Sequence, residues 1–170
     1  RLMLCPLALL AISCGGSNPN LDPPRDPMRP SAREPRLPPS EVAQRVLKSL
    51  GSAPQNCGEG VQGLDDRSCR MQPVFECLLQ AFEVCRPAYG THMYSTAEGD
   101  AIRVDYYVRP SGGPCAFVVV DDKTADPVGR KEIQELQCKK IEWKPDPGND
   151  QCQTLQPLEC STLSTTPRAG

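Results

Sequence analysis

The chain is 170 residues long, with 24% charged residues and a formal net charge of −2. Its 19 basic residues are matched by 21 acidic ones and form no basic block, so it offers no electrostatic footprint for nucleic acid. Ten cysteines stand against a single histidine, and that imbalance bears on where the protein works.

Residues 2–12, "LMLCPLALLAI", are apolar apart from Cys5 and Pro6. As a helix these eleven residues reach roughly 16 Å, about half of a ~30 Å hydrocarbon core. A short apolar run behind Arg1 that ends in small residues has the form of a secretory signal whose basic start is cut short. Ala11-Ile12-Ser13 has the small-x-small form of a cleavage site, and Cys14 follows at once. The segment resembles the lipobox of bacterial lipoproteins. That resemblance implies removal of residues 1–13, a lipid on Cys14, and attachment to a membrane outside the cytoplasm. The alternative is an ordinary secretory signal cleaved after Ser13, which gives a secreted protein.

From Gly15 to Pro39 there are eight prolines in 25 residues and almost no large apolar side chains. Proline removes backbone donors and biases its predecessor away from helix, so 14–39 reads as a disordered to polyproline II tether. At about 3.1 Å per residue it spans up to roughly 75 Å. Arg25, Arg29, Arg33 and Arg36 are nearly balanced by Asp22, Asp26 and Glu34, as in a solvated spacer.

A single domain is expected over 40–160, long enough for a hydrophobic core, with a flexible tail over 161–170. Ser40 can cap a first helix that runs to Leu50, with Val42, Val46, Leu47 and Leu50 on one stripe and Gly51 as the stop. Residues 51–72 are polar and glycine-rich and read as a long loop. Pro73 suits the first turn of a second helix to about Arg86, striped by Val74, Leu78, Ala81, Phe82 and Cys85. Pro87 ends it.

Beyond Pro87 the period becomes two. Residues 88–96 read as a strand that turns at Glu98-Gly99-Asp100. "AIRVDYYVR" places Ile102, Val104, Tyr106 and Val108 on one face and Arg103, Asp105, Tyr107 and Arg109 on the other, as in a half-buried antiparallel strand. "CAFVVVDD" follows the turn at 110–114. Residues 133–144 make a further strand whose apolar parity shifts between Cys138 and Ile141, which predicts a bulge. The fold class is therefore α+β, a helix packed on a three- to four-stranded antiparallel meander. In element order it is similar to cystatin-like and nuclear-transport-factor-like sheets, a likeness that carries no function.

Without Cys5 and Cys14 eight cysteines remain: Cys57, Cys69, Cys77, Cys85, Cys115, Cys138, Cys152 and Cys160. An even number in an exported chain reads as a disulfide framework. No C-x₂-C pair occurs and His92 is close to none of them, which argues against zinc and against thioredoxin-like chemistry. No metal or cofactor is expected. Cys57–Cys69 and Cys152–Cys160 each bracket a short polar stretch and are the simplest local pairs. Cys85, at the end of the second helix, lies where the chain returns at Cys115. Cys77, about 12 Å back along the helix, is level with Cys138 on the next strand. The expected long-range pairs are thus Cys85–Cys115 and Cys77–Cys138.

Little in the chain points to catalysis. His92 lacks a nucleophile or carboxylate at a telling spacing. Asp121, Asp122 and Asp126 lack calcium-loop spacing, and Asp146 and Asp150 suit a turn. No G-x-S-x-G, P-loop or H-E-x-x-H motif occurs, and no catalytic residue is assigned. Tyr89, Tyr94, Tyr106, Tyr107 and Trp143 are the side chains best able to build a binding face. Tyr107, on the opposite parity from Val104 and Val108, is expected to be partly exposed and is the candidate contact residue. The expected function is a non-enzymatic binding or structural role in the cell envelope, with the membrane reached through Cys14 and an envelope protein as partner. The alternative is an exported enzyme, or an inhibitor that inserts a hairpin tip at Gly112-Gly113.

Overall fold

The computed structural model describes residues 37–62, 69–96, 100–126, 128–147 and 149–167; the expected signal, Cys14 and most of the tether lie outside them. Among the described residues the elements run α1 (Glu41–Ser49), β1 (Gln55–Gln62), α2 (Gln72–Glu83), β2 (Ala88–Ser95), β3 (Ala101–Arg109), β4 (Ala116–Asp122), β5 (Glu132–Asp146) and β6 (Asn149–Pro167). The strands form one sheet in the order β1-β2-β3-β4-β5-β6. The class is α+β, but the sheet is six-stranded and mixed rather than a meander of three or four strands. β1 runs parallel to β2, and the other neighbouring pairs are antiparallel. Parallel neighbours need a long crossover, and the connection that contains α2 supplies it.

β1 lies inside the stretch that reads as a loop. "QNCGEGVQ" holds two glycines and one large apolar residue, Val61, so it shows no alternation. Gly58 takes a left-handed φ of 98, and Gly60 has a packing reason that it shares with Gly90 of the next strand. A Cβ on Gly90 of β2 would meet Val74 Cγ1 of α2 at 2.7 Å, and one on Gly60 of β1 would collide with Met71 Sδ. At Gly90 the strand backbone comes close to a stiff valine of the helix, and only glycine allows it.

β6 is the second departure. Its Ser/Thr-rich second half reads as a tail, yet it pairs along β5 as far as Pro167 opposite Glu132. An edge strand faces water along one side, so the sequence need not alternate and Pro157 is tolerated. The parity change expected in β5 is present, since Cys138 and Ile141 are both buried in one cluster. It involves no register change: Cys138 pairs with Cys160 and Lys140 with Leu158, with Glu159 between them at φ 52. The register shift falls instead between Glu135 and Leu136.

The two helices cover opposite faces. Ser40 caps α1, its Oγ accepting from the Ala43 amide at 3.2 Å, and Gly51 leaves the helix at φ 94. Val42, Ala43, Val46 and Leu50 bury against Tyr107 of β3 and Val118 and Val120 of β4. On the other face Val74, Phe75, Leu78 and Ala81 of α2 pack on Ile102, Val104, Tyr106, Val108, Phe117 and Val119. β3 is thus buried on both sides rather than half-buried. α2 ends with the Arg86 amide donating to Ala81 O at 2.8 Å around a left-handed Cys85, φ 50.

The cysteines pair as Cys57–Cys77, Cys69–Cys152, Cys85–Cys115 and Cys138–Cys160, with Cα separations of 5.5, 5.3, 5.3 and 3.9 Å. Cys85–Cys115 is the expected pair; the other three replace Cys57–Cys69, Cys152–Cys160 and Cys77–Cys138. The cause is the two strands that read as loop and tail. Cys57 sits on β1 beneath α2 and meets Cys77, while Cys160 sits on β6 directly opposite Cys138. Three of the four bridges start from Cys69, Cys77 and Cys85, in and beside α2. α2 is bolted to the sheet at both ends and in the middle.

Candidate functional site

α1 crosses β3 and β4 and leaves the β1 side of its face open, and a cleft of about 260 Å³ lies there. Pro39, Ala43, Gln44 and Leu47 form one wall, and β1 forms the other with Asn56, Gly58 and Glu59. The floor comes from Tyr89 and Thr91 of β2 and Arg103, Asp105 and Tyr107 of β3. Successive strand residues alternate faces, so Arg103, Asp105 and Tyr107 necessarily share one. Cross-strand register then sets Glu59, Thr91, Asp105, Val120, Glu135 and Ser164 in a row across the sheet.

That row carries three carboxylates, and arginines meet two of them. Arg103, 9% exposed, donates Nε to Asp105 Oδ2 at 2.8 Å and Nη2 to Asp105 Oδ1 at 2.7 Å. Its Nη2 also reaches Thr91 Oγ1 at 3.1 Å, and Thr91 Oγ1 donates to Asp105 Oδ1 at 2.7 Å. Nη1 donates to the main-chain oxygen of Leu37 at 2.7 Å. Burial works against the guanidinium charge, but the hydrogen bonds and charge of Asp105, with Glu59 behind it, outweigh that and hold its pKa above the ordinary value. Further along the row Arg45 of α1 pairs with Glu135 at 2.9 Å, and Ser164 Oγ donates to the same carboxylate oxygen at 3.2 Å. Glu59 stays exposed at the rim.

Tyr107 is not the exposed contact expected. It is 3% exposed beneath α1, and its hydroxyl donates to Ala43 O at 3.0 Å. Burial first, then Asp105, pushes its pKa well up, so the phenol is neutral at any ordinary pH. The aromatic face does not assemble either. Tyr89 and Tyr107 belong to the α1 face, whereas Tyr94, Tyr106 and Trp143 pack with the α2 cluster. Gly112 and Gly113 stand exposed at the β3–β4 turn.

His92 lies among aromatic rings, its centroid 6.1 Å from Phe75 and 5.3 Å from Tyr94, and its Nε2 is buried without a hydrogen-bond partner. Burial drives its pKa down to about 4 against the opposing pull of Asp146, so the ring is neutral at pH 7. The acidic group at the end of β4 is engaged locally. Lys123 Nζ meets Asp121 at 2.7 Å, Asp122 Oδ1 accepts from Thr124, and Asp126 Oδ1 accepts from the Val128 and Gly129 amides. Among the described residues no cluster of three His, Cys, Asp or Glu side chains could hold a metal ion.

The floor of the cleft is a charge-paired, hydrogen-bonded polar surface between a mostly apolar α1 wall and a polar β1 wall. Its volume falls below the ~300–1,000 Å³ usual for small-molecule pockets, so it suits a protruding side chain better than a whole ligand. Sequence reasoning passed over Thr91, Arg103 and Asp105 because a charged parity on a strand reads as a water-facing side. The available signal was an Arg-x-Asp pair on the same face as Tyr107. Compared with known proteins, the chain matches no family model, no curated protein and no solved structure.

Proposed function

We propose that the chain is an exported, membrane-anchored bacterial lipoprotein whose disulfide-stapled domain has a non-enzymatic binding or structural role in the cell envelope. In this reading residues 1–13 are the signal, Cys14 carries the lipid, and the Pro-rich stretch to Pro39 stands the domain off the membrane. The observation that supports it most is the pairing of all eight cysteines from Cys57 to Cys160 at bridging Cα separations. Such a framework forms and persists in oxidising compartments and is rare where thiols are kept reduced. Ala11-Ile12-Ser13-Cys14 supplies the route there. Among the described residues no helix is long and apolar enough to cross a membrane, and the reading places attachment at Cys14. The partner is an envelope protein that presents a side chain to the cleft between α1 and β1.

The test is Cys14→Ser in a chain with its upstream signal restored. Labelling by a fatty-acid analogue should be lost and the protein should leave the membrane fraction. One acyl chain binds only marginally, so stable attachment of the parent protein requires more than one. Unchanged membrane partitioning of the variant would overturn the reading.

A further inference from the structure

The two helices are held by different means. Three disulfides tie the α2 region to β1, to β6 and to the chain entering β4. α1 contains no cysteine. It rests on three buried apolar side chains and that of Leu50 at its C-cap, on the hydrogen bond from Tyr107 to Ala43 O, and on Arg45, whose side chain is 65% exposed. It is also the first helix after the Pro-rich stretch. Any motion of the preceding chain would reach it through its cap, Ser40.

Leu37 interrupts that path. Its carbonyl oxygen accepts from Arg103 Nη1, and Arg103 is itself rooted by hydrogen bonds to Asp105 and Thr91. These residues stand on β2 and β3, inside the sheet. The local sequence keeps that carbonyl available. Pro38 biases Leu37 toward extended backbone, and neither Pro38 nor Pro39 has an amide hydrogen to form a competing turn. The guanidinium is needed for its shape as well as its charge: one edge forks onto Asp105 while Nη1 still points at the main chain. A lysine ammonium has no such planar fork.

We propose that Arg103, Asp105 and Thr91 form a clamp on the main chain at Leu37, which passes load from the preceding segment into β3 and isolates α1 from it. The short strap from Leu37 to Pro39 also supplies part of the cleft wall, through Pro39. The clamp is independent of lipid on Cys14, because it acts on whatever precedes Leu37.

Hydrogen–deuterium exchange on the full, disulfide-intact chain tests it. Arg103→Gln combined with Asp105→Asn removes the reach to Leu37 and leaves no buried charge unpaired. In that variant the amides of Val42–Leu50 should exchange at least tenfold faster, with β3, β4 and α2 within about twofold of the parent. A second arm fuses a folded carrier protein upstream of residue 37 in both chains. The carrier should leave α1 exchange in the parent unchanged and accelerate it further in the variant. Unchanged α1 exchange in the variant, or equal loss of protection across α2 and the sheet, would overturn the clamp. So would acceleration of α1 by the carrier in the parent chain, an outcome that needs no variant to fold.

Discussion

Buried charge governs the α1 face of the sheet. An ion pair taken out of water contributes little net stability, but removal of one partner strands the other at a cost of about 3–5 kcal/mol. Asp105, at 3% exposure, is in that position and accepts three hydrogen bonds from Arg103 and Thr91. His92 is the contrasting case, a partly buried titratable ring whose Nε2 has no hydrogen-bond partner and on which Asp146 acts only as a weaker opposing charge. Its folded pKa of about 4 lies below the unfolded value near 6.5, so between those pH values the unfolded chain binds more protons. Stability should therefore fall as pH drops through that window, by up to about 3 kcal/mol at its lower end, and should be unaffected by this group above it. Urea unfolding of the parent and of His92→Phe at pH 7 and at pH 4.5 measures the effect. The parent should lose ground to the variant only at the lower pH, and a constant difference would show that the ring does not resist protonation.

Among the elements, those whose residues face a definite environment on each side were the ones legible in the sequence. α1 has its cap, stripe and stop within a dozen residues. β3 and β4 carry the apolar parity that α2 covers. β1 carries no such pattern, because Gly60 sits against Met71 at the start of α2, Gly58 takes a left-handed φ of 98, and the strand's outer edge meets water. β6 is polar for the same edge reason. These two strands also decide the cysteines, since three of the four bridges have an end on one of them. Only Cys85–Cys115, fixed by where α2 stops, could be placed without them. The floor of the cleft was illegible for a related cause: nothing local tells that α1 will fold back over β3.

The bridges should not be equivalent. Cys69–Cys152 closes a sequence separation of 83 residues, whereas Cys138–Cys160 closes 22 between strands that already pair. In the chain-entropy view the longer closure is worth about 1 kcal/mol more, within the usual ~2–5 kcal/mol for a native bridge. Replacement of both cysteines by alanine should accordingly lower the melting temperature more for Cys69/Cys152 than for Cys138/Cys160. The reverse order in thermal scans would mean that the β5–β6 hairpin depends on its own bridge.

In the molecule as a whole, an oxidised framework holds α2 and β1 onto the sheet, while α1 is held by packing and by the anchored main chain at Leu37. Stability of a domain this size is about 5–15 kcal/mol, so the bridges account for a large share of it and reduction should be felt throughout the α2 side. Free thiols are blocked at cell lysis, the full chain is digested without reduction, and the linked peptides are identified by mass. Four linkages are expected, Cys57–Cys77, Cys69–Cys152, Cys85–Cys115 and Cys138–Cys160, with none of these eight thiols blocked. Blocked thiols at several of these positions, or a Cys57–Cys69 or Cys77–Cys138 peptide, would overturn both this pairing and the oxidising compartment proposed for the chain.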